Sequence, residues 1–493
     1  MGQEVDLRQF SREDRQRYRL KVKRNLQVFE RMLDESMFET GRKLLGIELE
    51  LNLCDAEGAP KMVNEDVLAR IANPDFQTEL GQFNIEVNVA PHRLVGGVFG
   101  DLEEEMRTSL NYAERRANTV DAHIYMIGIL PTLTEEHMVT ENLSRNPRYE
   151  LINEQVLTAR GEDIRLSIEG VEKLSKDVDS ILPEACCTST QLHLQVTPNN
   201  FASVWNSAQA IAGVQVALGA NAPFLFGKEL WRETRIVLFE QATDTRSEEL
   251  VAQGVRPRVW FGERWIDSPL DLFGENVRYF PALLPICDDE DPVEMLERGD
   301  VPHLTELRLH NGTVYRWNRP IYDVARGKPH LRVENRILPA GPTVVDVLAN
   351  AAFYYGLVRV LSDETDQPVW RQMSFATAAE NFFTGAKDGI DAQLYWPGMG
   401  TVPVTELVLR KLLPMAYEGL DRWQVDPKER DRLLGIIEQR CLTHRNGASW
   451  QSQMFHRCFD EEGLDRADAL VEMSRRYARH MHTNEPVHSW PLE

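Results

Sequence analysis

The sequence predicts an α+β fold: a sheet with one apolar and one polar face, joined to a helical C-terminal part. Four segments alternate apolar and polar residues with the two-residue period of a strand. The stretch 343–361 (TVVDVLANAAFYYGLVRVL) follows the last of them as the most apolar helical run of the chain. Residues 405–480 then keep a helical pattern, interrupted near RWQVDPKERD and THRNGASWQ.

Taken in order, residues 11–40 read as a helix whose apolar stripe is Leu20, Val22, Leu26, Phe29, Met32 and Leu33. A second helix is expected over 98–125 and a third over 203–219. The last dozen residues, HTNEPVHSWPLE, read as an extended, loosely held tail. No fixed-period repeat, low-complexity segment or Ser/Gly-rich linker divides the chain. The expectation is one catalytic domain over 1–493, with an N-terminal helical segment (1–43), a sheet-bearing core (44–342), a helical part (343–480) and a tail (481–493).

Composition narrows the function. With 493 residues, 42% hydrophobic and 27% charged, the chain has the make-up of an ordinary globular protein with a large core. A net charge of −22 argues against nucleic-acid binding, which needs an excess of Lys and Arg. The six cysteines form no CxxC pair and read as reduced thiols of a cytoplasmic protein, with Cys186–Cys187 packed and not nucleophilic. The N-terminus is charged from residue 4 onward, unlike a secretory signal, and Asp6 breaks the myristoylation pattern. Residues 185–227 lack Asp, Glu, Lys and Arg, yet His193, Asn199, Gln209 and Asn221 interrupt any membrane-spanning run. That stretch reads as a buried centre, with no membrane partner.

The four alternating segments carry the chemistry. In LGIELELNL, Ile47, Leu49, Leu51 and Leu53 oppose Glu48, Glu50 and Asn52, so the two glutamates emerge on one side. FNIEVNVAP sets Glu86 between Asn84 and Asn88; TQLHLQVTP sets His193 between Gln191 and Gln195; LRVENRILP sets Glu334 between Arg332 and Arg336. A solvated face gives alternation too, but exposed strands favour Thr, Lys and Ser, and no lysine stands on these four faces. Carboxylates with one histidine make oxygen-rich ligation suited to Mg²⁺ or Mn²⁺, and arginine forks suit phosphate or carboxylate. Such a set serves phosphoryl transfer, which is mostly charge neutralisation and positioning. No GxxxxGK[ST], GxGxxG or GxSxG motif is present, so bound ATP would be held by metals and arginines on the sheet.

The motifs GIELE, TELGQFNIEVNVAP, QLHLQV, ANAPFLFG with WRETR, and RVENRILPAG, in this order between about 44 and 340, resemble the glutamate–cysteine ligase family, in its carboxylate–amine ligase branch. Ala222 stands where that family often has Ser. The resemblance implies a glutamine-synthetase-like fold: a curved, largely antiparallel sheet whose polar face holds metals and ATP. It implies ATP-dependent amide formation through an acyl phosphate. Glu48 and Glu334 would ligate one Mg²⁺, and Glu50, Glu79 and Glu86 a second. His193 would stand near a third ion or the phosphates, Arg336 at the γ-phosphate, and Arg235 or Arg232 at a substrate carboxylate. Arg332 joins Arg336 as a catalytic candidate, and Gln195 and Asn88 as substrate or ATP contacts. Partners are then small molecules (an amino acid, an amine, ATP), and a homo-oligomer is compatible. Two other readings use the same face: a phosphagen-type kinase, and a non-catalytic regulator that binds nucleotide or an amino acid. Residues 308–323 (RLHNGTVYRWNRPIYD) fit a loop over the site or a hairpin.

Overall fold

The computed structural model describes residues 10–363 and 366–492. The readings made on the first nine residues lie outside them. At the centre is a seven-stranded sheet: β1 (Leu44–Cys54), β2 (Phe76–Thr78), β3 (Asn84–Arg93), β4 (His123–Tyr125), β5 (Ser189–Val196), β6 (Asn318–Ala325) and β7 (Lys328–Pro339). The strand order is β6-β7-β5-β1-β3-β2, with β4 pairing the end of β1, and every pairing is antiparallel. All four alternating segments are strands, adjacent in the order β7-β5-β1-β3.

Alternation divides the sheet as expected. Leu45, Ile47, Leu49, Leu51 and Leu53 of β1 are buried, with Leu192 and Leu194 of β5 and Leu331, Val333 and Ile337 of β7. They face helices α4 (Pro198–Ala210), α5 (Ala212–Gly219) and α7 (Val344–Leu361). Tyr355 of α7 donates its hydroxyl to the His193 carbonyl at 3.0 Å, tying the helix to the sheet. Helix α7 is the one described helix long and apolar enough to cross a membrane, and 89% of that window is buried inside the protein. It crosses the helix Leu413–Arg422 at bare backbone: a Cβ on Gly419 would fall 1.8 Å from the Gly356 carbonyl oxygen.

The remaining helices differ in detail from the sequence reading. Helix α1 (Arg12–Asp34) starts at a Ser11–Asp14 capping box and stops at Glu35, because Ser36 turns the chain to φ 55°. Helix α2 (Val98–Ala117) is shorter than expected, since 123–125 leave it to pair with β1. The helix expected over 203–219 begins earlier, at Pro198 behind the Thr197 cap, and splits at Ile211 into α4 and α5. Helix α3 (Pro147–Arg160) reaches the sheet through Tyr149, bonded to the Thr78 carbonyl, and helix α6 (Thr234–Ala242) through Arg235, bonded to the Arg336 and Ile337 carbonyls. Residues 308–323 form the end of a helix (Thr305–Asn311) and edge strand β6, which hairpins onto β7.

The C-terminal tail corrects the sequence reading. Helix Arg466–Thr483 runs into it, and Trp490 is 1% exposed, packed edge-on against Trp450 and Tyr477 and stacked on His480. The Trp490 carbonyl accepts from Arg445, and Arg440, paired with Asp346 of α7 at 2.7 Å, fixes the helix before it. One main hydrophobic core runs from Tyr18 to Trp490.

Candidate active site

Antiparallel register sets the polar residues in rows across the sheet. Arg319 of β6, Glu334 of β7, His193 of β5 and Gly46 of β1 form one row. Gln191, Glu48 and Asn88 form the next, and Glu50 pairs with Glu86, itself opposite Gln77. Glu79, from the turn after β2, joins Glu50 and Glu86 so that one oxygen of each lies within 4.8 Å of the others. The geometry therefore assembles the triad that the resemblance implied, and Glu79 is part of it.

One half of the face is internally neutralised. Glu334, 1% exposed, receives a two-pronged contact from Arg319 (Nε to Oε2, 3.0 Å; Nη2 to Oε1, 2.9 Å) and a further bond from Arg336. Burial opposes its ionisation, but Arg319, Arg336 and His193 outweigh it and hold Glu334 well below the usual carboxylate range. Burial likewise opposes Glu48, and His193 overrides it to about 2. Arg332 Nε donates to His193 Nδ1 at 3.1 Å. With the ring neutral this contact leaves the proton on Nε2, 3.0 Å from Glu48 Oε1 but without hydrogen-bond alignment, whereas the charged ring that pulls Glu48 and Glu334 down carries a proton on Nδ1 too and gives up the Arg332 bond. In this arrangement His193 offers an N–H to an anion; direct ligation through Nε2 requires the other tautomer.

The other half is short of positive charge. Glu50 is oriented by the Ser189 amide (2.6 Å) and by Gln191 Nε2 (2.9 Å), while Gln191 Oε1 accepts from Arg336 at 2.5 Å. Burial raises Glu50, despite Arg336. Burial and the neighbouring acids push Glu86 up to about 7 and Glu79 well above its ordinary value. A fourth acid, Glu184, is pushed to about 8 by burial and by Glu50. Three carboxyls around one point, with Glu184 near enough to feel Glu50, are stable as anions only beside a cation. The donor set is all oxygen, which fits a hard divalent ion such as Mg²⁺ or Mn²⁺.

Arg235 sits behind this face. Regular pairing of β7 with β5 breaks between Asn335 and Leu338, a bulge that turns Arg336 toward Gln191 and Glu334. Arg235, in α6, donates to the carbonyls of Arg336 (3.4 Å) and Ile337, and pairs with Glu233 at 3.1 Å. Its side chain is 3% exposed, so the guanidinium expected to receive a substrate carboxylate is spent on protein acceptors. Arg232, the other candidate, pairs with Glu229 and with Ser452 of helix α8 (Gly447–His456), apart from the carboxylate rows. Asn88 donates to Glu86 at 2.8 Å, and Gln195 lies opposite Arg332.

Sequence reasoning missed Arg319, Glu184 and Arg148. Arg319 hides in a strand whose Pro320 argues against strand structure, so only its pairing with Glu334 reveals it. Arg148 opens α3 beside Tyr149, whose hydroxyl donates to the Thr78 carbonyl next to Glu79. Its guanidinium forms no ion pair among the described residues, yet it acts on the Tyr149 and Tyr315 phenols together with Glu184.

A curved antiparallel sheet bearing acids and arginines on one face, backed by helices, is the glutamine-synthetase-like architecture of ATP-dependent carboxylate–amine ligases. The model of glutamate–cysteine ligase family 2 matches residues 44–467, and the chain belongs to that family. Glutamate–cysteine ligase from Francisella tularensis, solved in complex with AMP, is similar with a TM-score of 0.54 at 12% identity, over 92% of this chain and 91% of that one. A bifunctional glutathione synthetase from Pasteurella multocida is similar at 0.53 and 11%, over 93% of this chain and 55% of that one. These likenesses establish the fold. No curated protein matches the sequence.

Proposed function

We propose that this ligase uses Mg²⁺ or Mn²⁺ and joins an amino-acid carboxylate to an amine through an acyl phosphate, with glutamate and cysteine as the first pair to try. The observation that carries the reading is the division of the sheet face. A cation-poor pocket of Glu50, Glu79, Glu86 and Glu184 adjoins an arginine-rich strip of Arg319, Arg332 and Arg336. The divalent ion, when bound, would neutralise the acids and the phosphates of ATP. The AMP complex of the Francisella protein supports an adenine nucleotide as the co-substrate.

In this reading a carboxylate oxygen of the donor attacks the γ-phosphorus, the bond to ADP breaks, and an acyl phosphate forms. The amine nitrogen then adds to the acyl carbon, loses a proton, and phosphate leaves. Arg336 neutralises the charge that develops on the moving phosphoryl group, a role for a fixed fork. The His193 Nε2 proton, kept in place by Arg332 at Nδ1, points at a phosphate oxygen. Arg235 acts from behind, fixing the bulge that aims Arg336. Arg148, a cation without an acid of its own beside the glutamate pocket, receives the carboxylate of the amino-acid donor that is not activated. Six unpaired cysteines suit a reducing compartment, and we place the enzyme in the cytoplasm.

The test is ADP release from the purified protein with Mg²⁺ and ATP, challenged with pools of amino acids and amines, with products weighed by mass spectrometry. ADP that requires both a carboxylate and an amine, with a product of their summed mass less water, is expected. A stable phosphorylated product without condensation would replace the ligase by a kinase. Nucleotide binding without ADP from any pool would favour the regulator.

A further inference from the structure

The polar face continues outward beyond the carboxylate rows. Side chains two apart on a strand share a face, so Asp323 of β6 and His330 of β7, directly paired near the hairpin turn, lie on the same side as Arg319, Arg332 and Glu334. Arg332 stands between that outer pair and the row of Glu334, opposite Gln195. Three acceptors surround its guanidinium. Nε donates to His193 Nδ1 at 3.1 Å, and Nη1 donates to Asp323 Oδ2 and to His330 Nε2, each at 3.2 Å. A planar fork engaged at both Nε and Nη1 is fixed in its plane.

The two outer acceptors are themselves held. Asp323 Oδ1 accepts from the Val324 amide at 2.9 Å and pairs at 2.9 Å with Arg308, which belongs to the helix Thr305–Asn311 outside the sheet. That leaves Oδ2 for Arg332. Burial opposes the charge on Asp323, but Arg308 and Arg332 outweigh it and keep the carboxyl below its ordinary range. His330 is half-buried, and because a guanidinium can only donate, its Nε2 carries the lone pair. Among the described residues, neither Asp323 nor His330 bonds to Glu48, Glu334 or His193. Both therefore act on the site through Arg332.

We propose that Asp323 and His330 are positioning residues for phosphoryl transfer: they clamp Arg332 so that its Nε stays at His193 Nδ1 and the neutral imidazole presents Nε2–H to the phosphate. Without them Arg332 keeps a single bond, too little to order a long side chain, and the His193 ring is free to exchange its proton between the two nitrogens. This role depends on the face being the phosphate site, as proposed above, whereas the clamp itself belongs to the free protein.

The experiment is long-range proton–nitrogen NMR of the full-length protein labelled with 15N-histidine, recorded at pH 8.5 without nucleotide or metal, with His193→Gln identifying the His193 signals. Wild type is expected to show a bare Nδ1 and a protonated Nε2 at well-separated nitrogen shifts. In Asp323→Leu/His330→Leu the two shifts should move together as the tautomers exchange, and Arg332→Met should do the same. His330→Gln keeps an acceptor for Nη1 and should retain the wild-type pair. If the double variant melts early, the comparison of His330→Leu with His330→Gln decides in its place, and equal spectra overturn the clamp. In ADP release, kcat of the double variant should fall about tenfold with the KM of the carboxylate donor unmoved. A wild-type ring protonated on Nδ1 would overturn the clamp. So would wild-type shifts retained in the double variant while Arg332→Met merges them. Separated shifts that merge as expected, in a protein that releases no ADP, would support the clamp and sink the ligase reading alone.

Discussion

Replacing Arg235 separates a residue that touches substrate from one that aims its neighbour. Arg235→Lys keeps a cation beside Glu233 but loses the fork that reaches the Arg336 and Ile337 carbonyls. The bulge then relaxes and Arg336 shifts. A displacement of about 1 Å at a phosphate-binding group costs on the order of 10²-fold in rate, about 2.7 kcal/mol. kcat should fall by that factor with KM for the carboxylate donor nearly unchanged. Arg235→Met goes further, because Glu233 is fully buried and loses its cation, which costs about 3–5 kcal/mol of folding stability. Burial already pushes Glu233 up to about 7 against the pull of Arg235, so without that pull its carboxyl takes up a proton more readily. The folded variant then holds a proton that the unfolded chain has released, and its stability declines as pH rises through neutrality. Denaturation at pH 6 and pH 8, with steady-state kinetics, reads both effects. If KM for the donor rises while kcat and denaturation midpoints stay at wild-type values, Arg235 binds substrate and the positioning argument is wrong.

Glu334→Gln should abolish ATP turnover, since it removes the charge shared by Arg319 and Arg336; normal ADP release would move the phosphate site off this face. Arg336→Lys should lose about 10²-fold in kcat, because a point charge cannot bridge Gln191 and Glu334 together; unchanged kcat would refute its role. Arg440→Met strands the fully buried Asp346 and should cost about 3–5 kcal/mol, read as a lowered melting temperature with substrate KM unmoved. Glu240 is pushed up to about 8 by burial against Trp317 and Arg246, so the folded state holds a proton there that the unfolded chain releases near 4.5. Melting temperature should therefore fall as pH rises from about 5 to 8.5, less steeply in Glu240→Gln; equal slopes would show that Glu240 does not titrate in this range.

The sheet was legible because its signal is local. Two-residue alternation places Glu48, Glu50, Glu86, His193, Glu334 and Arg336 on one face whatever the pairing partners are. What alternation cannot supply is which strands are neighbours. Arg319 and Glu334 are fifteen residues apart and meet only through the β6–β7 hairpin. Glu184 reaches the pocket from a single helical turn before β5, with no periodicity to mark it. The bulge that occupies Arg235 is invisible for the same reason: RVENRILP reads as an unbroken strand, and the extra residue shows only against β5. Trp490 makes the same point at the chain end, where aromatic contacts to Trp450 and Tyr477 override a composition that suggests a loose tail.

The crossing of α7 with Leu413–Arg422 at Gly356 and Gly419 has a consequence for motion. Where two helices touch through backbone, no side chain can change rotamer to let one slide over the other, and the layer beneath the sheet behaves as a stiff plate. Compliance is then left to the opposite surface, above all to β6, an edge strand held by one neighbour. Arg319 rides on that strand. The Arg319 partner of Glu334 thus sits on the sheet's free margin above a fixed base, with amide exchange expected to be fast along β6 and slowest in α7.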